Sequence, residues 1–158
     1  MEAHFDFGPQ LCILGRARVH DIWRGLRGML WSHLCRALAF GQYPLDLLII
    51  HLSGNDLARH SSKALILDVL RNLKWLKAMY LAMHILWSTI IPQLAWRDAR
   101  NFFSVNTAYR SVNQEVCRAV CGGLGSVIGH QRIRLDRPEF FQNDGVHLSD
   151  LGLLLELD

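Results

Sequence analysis

A short apolar run constrains this chain more than any other feature. Residues 45–57 read LDLLIIHLSGNDL; the apolar part is too short to cross a bilayer and stops abruptly at Ser53-Gly54-Asn55-Asp56. A buried parallel strand hands over to a polar loop in this way, because such a strand is covered on both faces and shows no polar alternation. In sheets of this kind, chemistry collects at the carboxyl ends of the strands. A second stretch, residues 144–152, reads DGVHLSDLG. It places an aspartate and a histidine close enough for one loop to hold both and for the carboxylate to orient the imidazole.

The chain has 158 residues, 51% of them apolar, which is enough for one core and short for two. Residues 1–158 are therefore expected to form a single domain. Seventeen basic against fourteen acidic residues leave a formal charge of +3, and the arginines are scattered, so composition speaks against nucleic acid as a partner. The densest group, Arg16, Arg18, Arg24 and Arg27, reads as a solvated face. The cysteines Cys12, Cys35, Cys117 and Cys121 lack the spacing of a zinc site and the density of a disulfide scaffold. They read as buried apolar residues in a reducing compartment, and neither a metal nor a cofactor is expected.

Residues 78–96 carry no formal charge and match the length of a spanning helix,. His84, Ser88, Thr89, Pro92 and Gln93 argue against that reading, since proline disrupts a helix interior. Glu2, His4 and Asp6 stand where a signal peptide is positively charged. The expected location is intracellular, cytoplasmic or nuclear, with no signal peptide and no transmembrane helix.

In chain order, residues 10–14 form a short strand candidate and residues 18–23 a better one, alternating apolar and polar side chains. A helix is expected over 29–39 with Met29, Leu30, Leu34 and Leu38 inward. The buried strand covers 45–52. Ser61 or Ser62 caps a helix reaching about residue 80, with Leu65, Val69, Leu73, Leu76 and Tyr80 on one face. A second buried strand spans 83–90, and a helix spans 105–121 on a stripe of Val105, Tyr109, Val112, Val116 and Val120. Gly122, Gly123 and Gly125 stop it. A last strand covers 126–135 and a final helix begins near 153. This alternation predicts an α/β parallel sheet flanked by helices, with right-handed crossovers.

The motifs fall at loop ends of that sheet. Asn55 sits just past the buried strand, where an amide can donate to a developing oxyanion; a turn asparagine beside glycine is the plainer reading. Gly25 and Gly28 follow the preceding strand and offer backbone N–H groups, Gly25 being favoured. His147 has the chemistry of a general base and Asp144 that of its orienting carboxylate.

These residues resemble a known family. Ser53-Gly54-Asn55-Asp56 is similar to the third block of the SGNH, or GDSL-like, hydrolases, and Asp144-Gly145-Val146-His147 to their fifth block. Trp23 to Gly28 resembles the second. The resemblance implies a three-layer, flavodoxin-like fold, an Asp144–His147 catalytic pair, an oxyanion hole of Asn55 and Gly25, and ester or acyl-ester hydrolysis, on a small molecule or a lipid. Trp87-Ser88-Thr89-Ile90-Ile91-Pro92 and the Gly-Val-His-Leu-Ser ending further resemble SGNH domains carried by vertebrate mobile elements.

The sequence departs from this pattern at its start. No serine or threonine precedes Ser32, so the first block, which supplies the nucleophile, is missing; Ser53 and Cys12 are weak substitutes. Residues 14–18 are also too few for a crossover helix. The expectation is a domain incomplete at both ends, lacking the first strand and the end of the last helix, with catalysis impaired. The alternative is a non-catalytic remnant or assembly module. Loss of a central strand leaves an open sheet edge, partly filled by residues 10–14, through which the chain would self-associate.

Overall fold

The computed structural model describes residues 8–14, 17–23, 28–39 and 45–156. Three parallel strands form its central sheet in the order β3 (Leu47–Ile50), β4 (His84–Ser88) and β5 (Gly125–Ile128). Helices α2 (Ser62–Met79) and α3 (Phe102–Ala119) connect them in turn, and the result is an α/β fold with a helix-flanked parallel sheet, as the alternation predicts. No described helix is long and apolar enough to cross a membrane.

Local sequence explains the helices. The Ser61 hydroxyl accepts from the Ala64 N–H and starts α2; the Asn101 side chain does the same for α3 through the Ser104 N–H, which moves that start ahead of the expected residue 105. Such caps satisfy amide groups that the helix itself cannot. Leu65, Val69, Leu73 and Leu76 of α2 and Val105, Val112 and Val116 of α3 are buried. They join Ile50, Ile85 and Trp87 of the sheet in one core. Tyr80 lies outside it and is exposed. After α3, a π turn over Val120–Leu124 is broken at Gly123, whose φ is +128°. Gly125 then lets β5 approach β4, since a Cβ there would lie 2.0 Å from the Ile85 carbonyl oxygen.

Several expectations change. Residues 18–23 do form a strand, β2 (Ala17–Trp23), but it pairs antiparallel with β1 (Gly8–Leu14) in a separate two-stranded sheet. Residues 10–14 pair with β2 and not with β3, so they fill no gap beside it. In place of one helix over 29–39, a 3₁₀ turn at Trp31–His33 leads into α1 (Leu34–Ala39). Its inward residues are Trp31, Leu34 and Ala37, with the Trp31 ring edge-on to Trp87 at 6.0 Å between centroids.

The strand expected to be buried on both faces is covered on one. Ile50 is buried, whereas Leu47 and Ile49 are 48% and 55% exposed. Beyond β5, residues 129–135 leave the sheet, and Ile133 packs in a second small cluster with Phe141 and Leu148. That cluster also receives Leu155 of α4 (Asp150–Glu156). Cys35 and Cys121 are exposed and Cys117 is half-buried, contrary to the expectation of buried thiols.

Candidate functional site

The loop between Phe141 and Leu148 brings Asp144 and His147 together. Phe141 and Leu148 pair as an isolated antiparallel bridge, and the Gln142 N–H donates to the His147 carbonyl at 2.8 Å. Gly145 makes the turn with φ +65°, and a Cβ there would press on Leu94 and Ala95 at 3.1–3.3 Å. Glycine is therefore required for both conformation and space. Its carbonyl accepts from the Leu94 and Ala95 N–H groups at 2.8 and 3.0 Å, which fastens this loop to the segment after β4.

That segment is itself anchored. The Asn113 side chain on α3 accepts from the Ile90 N–H and donates to the Ile90 carbonyl, both at 2.9 Å. A helix thus fixes the exit of β4, and the exit of β4 fixes the Asp144 loop.

Within the loop, Asp144 Oδ1 accepts from the Val146 and His147 N–H groups at 2.9 and 3.0 Å, and Oδ2 contacts His147 Nδ1 at 2.5 Å. An ionised carboxylate only accepts, so the imidazole donates through Nδ1–H and leaves Nε2 available as a base. The His147 amide first, then the Val146 amide and the imidazole, hold the Asp144 carboxyl well below the usual carboxylate range. Both side chains are substantially exposed.

Asn55 follows β3 in a 3₁₀ turn over Gly54–Asp56. Its Nδ2 donates to the Met29 carbonyl at 3.1 Å, which orients the amide and leaves one N–H for another acceptor. Beside it, Asp56 is buried and accepts from the Trp31 N–H at 2.9 Å; burial pushes its carboxyl up, against that hydrogen bond and His60. Ser53 is fully buried, in a left-handed conformation with φ 86°, and its hydroxyl has no hydrogen-bond partner. Gly25 lies outside the described residues, as does the side chain of Cys12. Gly28, with φ +71°, shares a cleft with Asn55.

This cleft holds about 40 Å³ of free space and is lined by Gly28, Gly54, Asn55, Arg59, Gln93, Arg97, Asp98 and Val146. It joins the Asn55 turn to the loop that carries His147. Arg59 and Asp98 form an ion pair at 3.0 Å across its rim, and Asp98, like Ser53, has a positive φ. Strained backbone of this kind concentrates at functional sites. No sequence motif marked Gln93, Arg97 or Asp98.

A second polar group also escaped the sequence reading. Ser88 Oγ lies 2.8 Å from His51 Nδ1 and 2.7 Å from His130 Nε2. Its signal was a polar residue at the carboxyl end of each apolar strand. Among the described residues, no group of three or more His, Cys, Asp or Glu side chains is placed to hold a metal. Burial, and secondarily the Cys121 thiol, push the Cys117 thiol up.

No protein-family model and no characterised protein matches the sequence. Solved structures do match. The crystal structure of an acetyl esterase mutant with acetate ion covers 82% of this chain with a TM-score of 0.59 at 16% identity. The fold is similar to that of this esterase. A second solved structure covers 80% of the chain with a TM-score of 0.55, also at 16% identity. This chain spans 63% of the length of each.

Proposed function

We propose that this chain carries the acid–base and oxyanion half of an SGNH-type ester hydrolase site. The observation that carries the reading is the Asp144–His147 pair in a loop whose Val146 shares a cleft with Asn55. In that chemistry His147 Nε2 takes the proton of an attacking hydroxyl, Asp144 holds the imidazole in the required tautomer, and the remaining Asn55 N–H stabilises the oxyanion. Removing one such donor costs about 3–4 kcal/mol in the barrier. Gly28 lines the cleft and is placed to supply a second, backbone donor.

Turnover is expected to be weak. Among the described residues nothing hydrogen-bonds His147 Nε2, and Ser53 is buried. Loss of the nucleophile from a triad lowers turnover by on the order of 10⁶. The same observation favours a second reading, a non-catalytic binding or assembly module of mobile-element origin, which keeps the cleft without the chemistry. Hydrolysis of nitrophenyl acetate by wild type and His147→Ala separates the two. A rate that depends on His147 supports the hydrolase, and identical background rates support the binding module. Self-association through the open side of β3 belongs to either reading, since that strand has no second partner among the described residues.

A further inference from the structure

The cleft beside Asn55 is rich in donors and carries one uncompensated charge. Arg59 is neutralised by Asp98. Arg97 lines the same space yet forms no ion pair or hydrogen bond among the described residues. Asp144, the other nearby acid in the sequence of this loop, spends its oxygens on two amides and the His147 ring. Asn55 retains a donor N–H, and the Gln93 amide nitrogen sits 3.6 Å from where a Gly54 Cβ would stand. The free space of about 40 Å³ admits roughly three water-sized groups, which matches the three heavy atoms of a carboxylate.

We propose that this cleft binds a carboxylate, with Arg97 as its charged anchor and the Gln93 amide as a neighbouring donor. A planar guanidinium matches a carboxylate with two parallel hydrogen bonds, and a lysine does not. The inference rests on the hydrolase reading for its substrate class: an ester whose acid part carries a carboxylate, or the acid that hydrolysis releases.

The test is an NMR titration of the ¹⁵N-labelled full chain with acetate, acetamide, monomethyl malonate and dimethyl malonate, following the amides of Gly54, Asn55 and Val146. Acetate is expected to bind at least tenfold more tightly than acetamide. Arg97→Gln removes that preference, Arg97→Lys restores part of it, and neither changes the thermal midpoint, because Arg97 supports no other group. Tighter binding of monomethyl malonate than of acetate, with dimethyl malonate weak, assigns the carboxylate to the substrate; equal binding assigns it to the product. Acetamide binding as well as acetate, an unchanged affinity in Arg97→Gln, or no shifts at all overturns the proposal. The hydrolase reading stands or falls separately, on the His147 dependence of ester cleavage.

Discussion

The two faces of the β3–β4–β5 sheet follow different rules. On one, Ile50, Ile85 and Trp87 are buried in a core with the valine and leucine stripes of α2 and α3. On the other, Leu47, Ile49 and His84 are exposed, and His84 and Ser126 hydrogen-bond to each other at 3.0 Å near the surface. Parallel strands ordinarily have both faces covered. Parity along β3 decides burial there, while on the same face of β4 burial grows along the strand, from exposed His84 through half-buried Leu86 to buried Ser88.

Substitutions grade this contrast. Trp87→Ala on the covered face should cost about 3–5 kcal/mol, the range for truncating a large buried aromatic, read from urea unfolding. Ile49→Ala on the open face should cost far less, and equal losses would abolish the distinction. Asp56, buried beside Trp31, comes next. Asp56→Ala leaves the Trp31 N–H without its acceptor, at about 1–3 kcal/mol, whereas Asp56→Asn keeps an acceptor without a buried charge and should be close to neutral at pH 7. Because burial raises the Asp56 carboxyl, its protonated form favours the folded state. That contribution is full below the unfolded value of about 3.8 and is lost as pH rises through the raised folded one. Asp56→Asn should flatten this part of the stability–pH profile.

Ser88→Ala, a polar deletion at a buried hydroxyl at the end of β4, should cost about 0.5–1.5 kcal/mol. Leu47→Lys with Ile49→Lys should leave stability within about 0.5 kcal/mol and shift any self-associating species to monomer in sedimentation; an unchanged oligomer would show that this face is not the contact. Smallest of all is the response of Asp144 to acid. Its carboxyl is lowered below 3.8, so it contributes above that value and is lost only as pH falls through the depressed one. The Asp144 side-chain carboxyl ¹³C shift should therefore show no protonation step from pH 6 down to about 4.

Legibility in the sequence followed the same division. The Val105–Val112–Val116 stripe, the Ser61 cap and the Asp144–His147 spacing depend on nearby residues, and each lies where the periodicity or spacing put it. The one-sided exposure of Leu47 and Ile49 was not legible, because an apolar run reads alike whether one face or two are covered. The antiparallel pairing of Ala17–Trp23 was equally hidden, since a strand pattern does not name its partner. Arg97 lines the Asn55 cleft from a segment whose start, Ile90, is held by Asn113 on another element. No local pattern reports a contact built by a third segment.

The hydroxyl of Ser88 has a consequence for proton traffic. It owns a single proton and faces two imidazole nitrogens, His51 Nδ1 and His130 Nε2, so it cannot donate to both. At least one of those nitrogens must present an N–H toward it. The tautomer of one ring thus limits the tautomer of the other, which couples the carboxyl ends of three neighbouring strands through one hydroxyl.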